Sequence, residues 1–230
     1  AYTAVMMARF CSENDWRDKE AHAQIVKTVE WRNSSGADDY RAALIGGRRI
    51  CEFEIFQRVG LVAPMIPWIG CTKTGDVVVL ASHAAVDVPL FLKTVTMEDC
   101  YDMNTLGLEF QYLCIDKLTL ARGDGSLVRM FALNNTEGVT MSHLKLLKYM
   151  KRVAPIADLY YPELIAKVCV INVTDMVFYA WNAVKLVLSK KMTDKVQMHS
   201  KRSVTEVLSR TIDASSIPVC FGGKMRQLPP

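Results

Sequence analysis

An acid and a base, Glu163 and Lys195, stand out as a pair suited to holding a polar group. Glu163 ends the run Tyr160-Tyr161-Pro162-Glu163, and Lys195 opens Lys195-Val196-Gln197-Met198-His199, a separation of 195 − 163 = 32 positions. A carboxylate accepts hydrogen bonds from hydroxyl groups, and an ammonium is a compact point charge for a phosphate. Brought together, the two could hold a phosphate and its neighbouring hydroxyls. They could equally be an ion pair that closes one edge of a sheet.

Other chemistries find little support. The histidines His22, His83, His143 and His199 have no HExxH or other metal-ligand spacing, so no metal is expected. Neither a GxSxG nucleophile elbow nor a GxGxxG turn nor a kinase signature occurs. The pair Gly46-Gly47 before Arg48-Arg49 lacks both the GK[ST] ending and the preceding strand of a phosphate loop. Cys169 lies inside an apolar run and reads as a small hydrophobe rather than a nucleophile. Asn33, Asn134 and Asn172 each open a glycosylation sequon, of no consequence in a cytosolic chain. The sequence therefore points to a binding protein without cofactor, not to an enzyme.

The pair depends on the elements around it. Val168 to Val173 is β-branched and reads as a strand, an apolar helix is expected from Thr174 to about Met192, and Lys195–His199 is extended again. Strand, long crossover and strand make a βαβ unit with two parallel strands. Parallel strands start at the same edge, so this unit would bring Glu163 and Lys195 together. The helix, from Met176 through Val177, Phe178, Trp181 and Val184 to Leu188, is apolar on nearly every face, with Asn182 and Lys185 polar. Such a helix is deep core or meets a non-aqueous phase. It is too short to span a bilayer.

Upstream, residues 3–33 carry helical patterning that Asp15 or Asp18 could cap, and Asn33-Ser34-Ser35-Gly36 ends it. Residues 37–60 read as two short helices around Gly46-Gly47. Pro64 and Pro67 call for irregular, extended chain. A turn at Lys73-Thr74-Gly75-Asp76 leads to a buried strand at Val77–Ala81, and Thr96 with Glu98 and Asp99 opens a helix to about Leu120. Leu127–Leu133 is the next strand, Val139–Val153 the next helix, and Ser203–Arg210 a short one. Helices followed by alternating strands and helices predict an α/β fold with an added helical lobe.

In order along the chain, YYPE, Lys167-Val168-Cys169-Val170-Ile171-Asn172, Leu188-Ser189-Lys190-Lys191-Met192-Thr193-Asp194-Lys195 and Phe221-Gly222-Gly223-Lys224 resemble the C-terminal half of the CRAL-TRIO lipid-binding and lipid-transfer proteins. The YYPE form is closest to their phosphatidylinositol-transfer branch. Arg9-Phe10 and Trp31-Arg32 resemble the family's N-terminal helical lobe, and Asp76 onward its DGRPV hairpin without the Arg-Pro. The resemblance implies a mainly parallel sheet flooring a lipid cavity, covered by helices, with lobe 1–60 and lipid-binding domain 61–230. It implies headgroup contacts from Glu163 and Lys195, ligand contacts from Tyr161, Phe178 and Trp181, and a mobile gate formed by the helix Met176–Leu188. There are departures. Asn14 stands where the family has an arginine, and Met192 stands where it has a threonine. Met130 and Ala132 replace the serine and threonine that serve phosphatidylcholine, which suits a more apolar ligand.

Composition agrees with that class. Half of the 230 residues are hydrophobic and mean hydropathy is +0.12. A net charge of +4 allows attraction to anionic membrane surfaces but is no nucleic-acid signature. Seven cysteines without CxxC spacing suit reduced thiols. With no stretch resembling a signal peptide or membrane span, the expectation is a cytoplasmic monomer, peripheral at membranes, that carries a phospholipid or other hydrophobic molecule. The competing expectation is a sensing or scaffolding module that has kept the fold but not the exchange.

Overall fold

The computed structural model describes residues 4–63 and 68–226, so the expected irregular path at Pro64 and Pro67 lies outside the described residues. The elements run α1 (Ala4–Glu13), α2 (Asp18–Ser35), α3 (Ala37–Ile45), α4 (Glu54–Gly60), β1 (Trp68–Cys71), β2 (Val77–Ser82), α5 (Val88–Thr94) and α6 (Met97–Arg122). They continue with β3 (Met130–Asn135), α7 (Leu147–Tyr160), β4 (Ile165–Ile171), α8 (Asp175–Val184), α9 (Lys190–Asp194), β5 (Val196–His199) and α10 (Val204–Thr211). This is the expected α/β class.

Several boundaries have a visible cause. Thr96 accepts a hydrogen bond from Asp99 N while the Asp99 side chain returns to Thr96 N, a reciprocal cap that starts α6. Gly123, in the left-handed conformation, ends it. Gly36 closes α2 in the same way. Neither Asp15 nor Asp18 caps α2, however. Asp15 and Trp16 take left-handed conformations, and Arg17 holds the cap position without a side-chain capping bond.

Contacts divide the chain into two compact units. The first comprises residues 1–62, 89–128 and 149–164, and is helical. Its core gathers Phe10 from α1, Leu106, Tyr112 and Ile115 from α6, and Tyr149 and Ile156 from α7. The Tyr149 ring meets Phe91 edge-on at 5.1 Å, and its hydroxyl donates to Val95 O.

The second unit, residues 63–88, 129–148 and 165–230, holds the sheet. Strand order is β1-β2-β3-β4-β5, with β1 antiparallel to β2 and the other neighbours parallel. One face is a dense core in which Val78, Leu80, Phe131, Leu133, Cys169 and Ile171 pack with Val204, Leu208 and Ile212. The Phe221-Gly222-Gly223 motif lies against this layer. A Cβ on Gly222 would come within 2.6 Å of Thr205, and one on Gly223 would collide with the Ile217 carbonyl. Close backbone approach explains the glycines.

Candidate ligand-binding site

The opposite face of the sheet is built differently. Side chains alternate across a strand, so Phe131, Leu133, Cys169 and Ile171 point to the dense layer and their neighbours point away from it. Those neighbours are Met130, Ala132 and Asn134 from β3, Val168 and Val170 from β4, and Val196 and Met198 from β5, aligned by the register Ala132↔Val168↔Val196. Cys169 and Ile171 are fully buried, whereas Val168, Val170, Val196, Met198 and Ala132 are only half-buried. Inner strands of a parallel sheet are normally covered on both faces. Here an apolar face in mid-sheet is left incompletely covered. Of the expected ligand contacts Met130 and Ala132, Ala132 is half-buried on this face, whereas Met130 lies at its start and is already buried.

Lys195 immediately precedes β5 and its carbonyl accepts a hydrogen bond from Val168 N, so it lies alongside Lys167. Glu163 precedes β4 and is four positions upstream of Lys167 along the chain. Strands β4 and β5 are parallel neighbours, as the βαβ reading required. Met192 is buried and offers no hydroxyl where the family threonine would be.

Glu163 itself is fixed within the helical unit. Its backbone is left-handed, its carbonyl accepts from Arg9 Nη1 at 2.8 Å, and its N–H donates to Glu13 Oε2 at 2.9 Å. Arg9, with no exposed surface, also donates to Asp116 Oδ1, Thr119 Oγ1 and Val128 O. Beside it, Glu109 binds Arg32 at 2.5 Å and Arg41 at 3.3 Å. Burial opposes the charge on Arg32, but its bonds to Glu109 and Asp38 outweigh that and hold it firmly protonated. The Tyr161 hydroxyl donates to Glu109 Oε1 at 2.7 Å, and its ring meets Trp31 and Tyr112 edge-on. Burial pushes its phenol well above the usual range. Asn14 donates to Phe10 O and Gln24 Oε1.

The long apolar helix is interrupted. Helix α8 ends at Val184, a 3-10 turn covers Lys185–Val187, and Leu188 is extended. Ser189 then caps α9 by accepting from Met192 N. That cap requires a non-helical entry, which is why the expected continuous helix to Met192 does not form and Leu188 falls outside it. Nor is the helix deep core. Phe178, Tyr179 and Leu186 are 53%, 67% and 78% exposed, Met176, Val177 and Trp181 are half-buried, and Val184 is buried. The side chains of Lys185, Lys190 and Lys191 are exposed around them.

Burial pushes the Cys169 thiol up to about 11, as suits a packing residue. Among the described residues there is no cluster of His, Cys, Asp and Glu that could hold a metal ion, and no helix long and apolar enough to cross a membrane. Asn172 is buried with its amide donating to Asn135 Oδ1, so its sequon is occupied by structure. Sequence reasoning passed over His83 and Asn134. His83 Nε2 lies 2.9 Å from Asn134 Oδ1, which places a polar pair at one end of the half-buried apolar face.

A family model for the CRAL/TRIO domain matches residues 65–223. Patellin-2 of Arabidopsis thaliana is 23% identical over 230 residues, and Patellin-1 of the same plant 20% identical over 229. The alignments cover 98% of this chain but 31% and 37% of those proteins, so it spans about a third of their length. The crystal structure of Sfh5 shares the fold with a TM-score of 0.70 at 12% identity, covering 97% of this chain and 74% of that one. With its sheet, its interrupted apolar helix and its Gly-Gly motif all inside the matched span, the chain belongs to the CRAL/TRIO domain family.

Proposed function

We propose that this chain binds a lipid or similar hydrophobic molecule on the half-buried face of β3, β4 and β5 and transfers it between membranes. The observation that carries this reading is the contrast between the two faces of β4, continued on its edge neighbour β5. Cys169 and Ile171 are sealed, while Val168, Val170, Val196 and Met198 are half-buried. An apolar ligand laid on the second face would complete its burial, contributing about 25 cal/mol for each Å² of apolar surface removed from water. Phosphatidylinositol is the first ligand to test. Its phosphate would meet Lys195, its inositol hydroxyls would meet Glu163, and Met130 and Ala132 would face its apolar part. Phe178 and Trp181 on α8 would contact ligand or membrane. Tyr161 is set aside, because its hydroxyl already serves Glu109.

Native mass spectrometry and vesicle-to-vesicle transfer test the proposal together. A carrier should retain a co-purified lipid and should move labelled phosphatidylinositol between vesicles. Lys195→Ala should reduce phosphatidylinositol transfer while leaving thermal stability intact. If purified protein holds no lipid and moves none, it is a scaffold on this fold rather than a carrier. Transfer that survives Lys195→Ala unchanged refutes the headgroup assignment alone.

A further inference from the structure

The half-buried face does not stay apolar to its end. In β3 the side chains on that face run Met130, Ala132, Asn134, and Asn134 is the point where the series becomes polar. Its Oδ1 lies 2.9 Å from Nε2 of His83, which directly follows β2. Its Nδ2 makes only a 3.4 Å contact to Ala132 O, at the long end for a hydrogen bond. His83 is held neutral first by burial, with Asn134 pulling the other way and nearby His143 adding to the downward shift. A neutral ring that donates from Nε2 has an acceptor at Nδ1.

His143 supplies the missing partner type. Its Nδ1 accepts from Thr140 N at 3.1 Å, which makes Nε2 the N–H of the ring. That Nε2 is buried and finds no hydrogen-bond partner among the described residues. The loop before it is pressed against the segment that carries His83, since a Cβ on Gly138 would stand 3.1 Å from Ala84. Buried donors are almost always paired, so this one calls for a partner. All of these residues lie in the sheet-bearing unit, at the C-terminal ends of its parallel strands, where open α/β sheets characteristically bind ligands.

We infer that Asn134, His83 and His143 form a polar subsite that binds a hydroxyl group on the hydrophobic ligand, so that the favoured ligand is an amphiphile with a hydroxyl at this end of the sheet. The inference rests on the carrier reading above and narrows its ligand class. A hydroxyl can accept from His143 Nε2, or from Asn134 Nδ2 in place of its long contact, while donating to His83 Nδ1, and so serves a donor and an acceptor at once. The methyl end of an acyl chain can use neither. Lys195 lies at the opposite, N-terminal edge of the strands, so the subsite is separate from the proposed headgroup position.

Oleyl alcohol and its methyl ether test this, because the two differ only by the capped hydroxyl. Each is titrated against an environment-sensitive fluorescent probe bound to the lipid-stripped protein. Wild type should bind the alcohol about tenfold more tightly, the worth of one well-made buried hydrogen bond. The double variant His83→Leu/Asn134→Leu, which leaves no half-pair behind, should bind both molecules with equal affinity. His143→Phe should weaken both molecules alike, since either oxygen can accept from Nε2, and gives an independent reading should the double variant fold poorly; unchanged binding of both in His143→Phe overturns the subsite. Equal affinities in wild type overturn the subsite and leave the carrier reading standing. An undiminished preference in the well-folded double variant also overturns it. Binding of neither molecule by wild type overturns the carrier reading, and the subsite with it.

Discussion

Arg9, with no exposed surface, donates to Asp116, Thr119, Val128 O and Glu163 O at once. The Arg9-Phe10 pair was visible as a family-like motif, but not its role as a hub joining α1, α6 and the segments that lead to β3 and β4. A clue lay in α6, where Glu109 and Asp116 are seven residues apart, hence on one face, among apolar neighbours. The cations that meet them come from α1, α2 and α3, and such long-range pairings have no local pattern. Removing one member of a buried ion network leaves the others uncompensated, at about 3–5 kcal/mol. Arg9→Met should therefore lower stability by that order in chemical denaturation. Arg9→Lys should recover only part of it, because an ammonium cannot reproduce the guanidinium's fan of donors. A variant Arg9→Met as stable as wild type would remove Arg9 from the framework. The same residue sets the backbone of Glu163, so its loss should also alter phosphatidylinositol binding.

At the scale of elements, local signals were legible and their competition was not. The cap at Thr96 and the glycine stops at Gly36 and Gly123 were readable because each needs only neighbours in sequence. The break after Val184 was hidden because apolar residues resume at Leu186 after Lys185, although Ser189 is a capping residue in plain view. The outcome places Phe178, Tyr179 and Leu186 in solvent, with lysines around them. Isolated exposed apolar residues need no explanation, but a cluster on one short segment marks a surface that meets something apolar. We expect α8 and the turn after it to dip into the membrane interface while the lysines hold anionic headgroups. Phe178→Asp/Leu186→Asp should weaken binding to anionic vesicles at least tenfold by sedimentation, on the order of the loss of two apolar anchors. Thermal stability should change little, because both side chains are already exposed. Vesicle binding equal to wild type would move the membrane contact elsewhere.

For the whole molecule, the α/β class, the βαβ unit at β4 and β5 and the mainly parallel sheet were legible, because strand and helix periodicities differ and the family motifs fall on that half. The helical unit was legible only in part. Residues 1–60 were foreseen as a helical lobe, but the grouping of 1–62 with 89–128 and 149–164 depends on contacts between distant segments. The incompletely covered sheet face has a consequence for the stability of the entire chain. A ligand that binds only the folded state stabilises it by RT ln(1 + [L]/Kd), about 2.7 kcal/mol at a hundredfold excess over Kd. For a chain of this size each kcal/mol raises Tm by about 2–4 °C, so loading should raise it by about 5–10 °C. Comparing lipid-stripped protein with the same protein equilibrated with phosphatidylinositol vesicles measures that shift. Ala132→Trp places a large ring on the half-buried face between Met130 and Asn134, where the ligand is expected to lie. The variant should keep its fold and lose most of the shift, since the indole now occupies the ligand's position and buries the same strands. If Ala132→Trp responds to lipid as strongly as wild type, the ligand lies somewhere other than on this face.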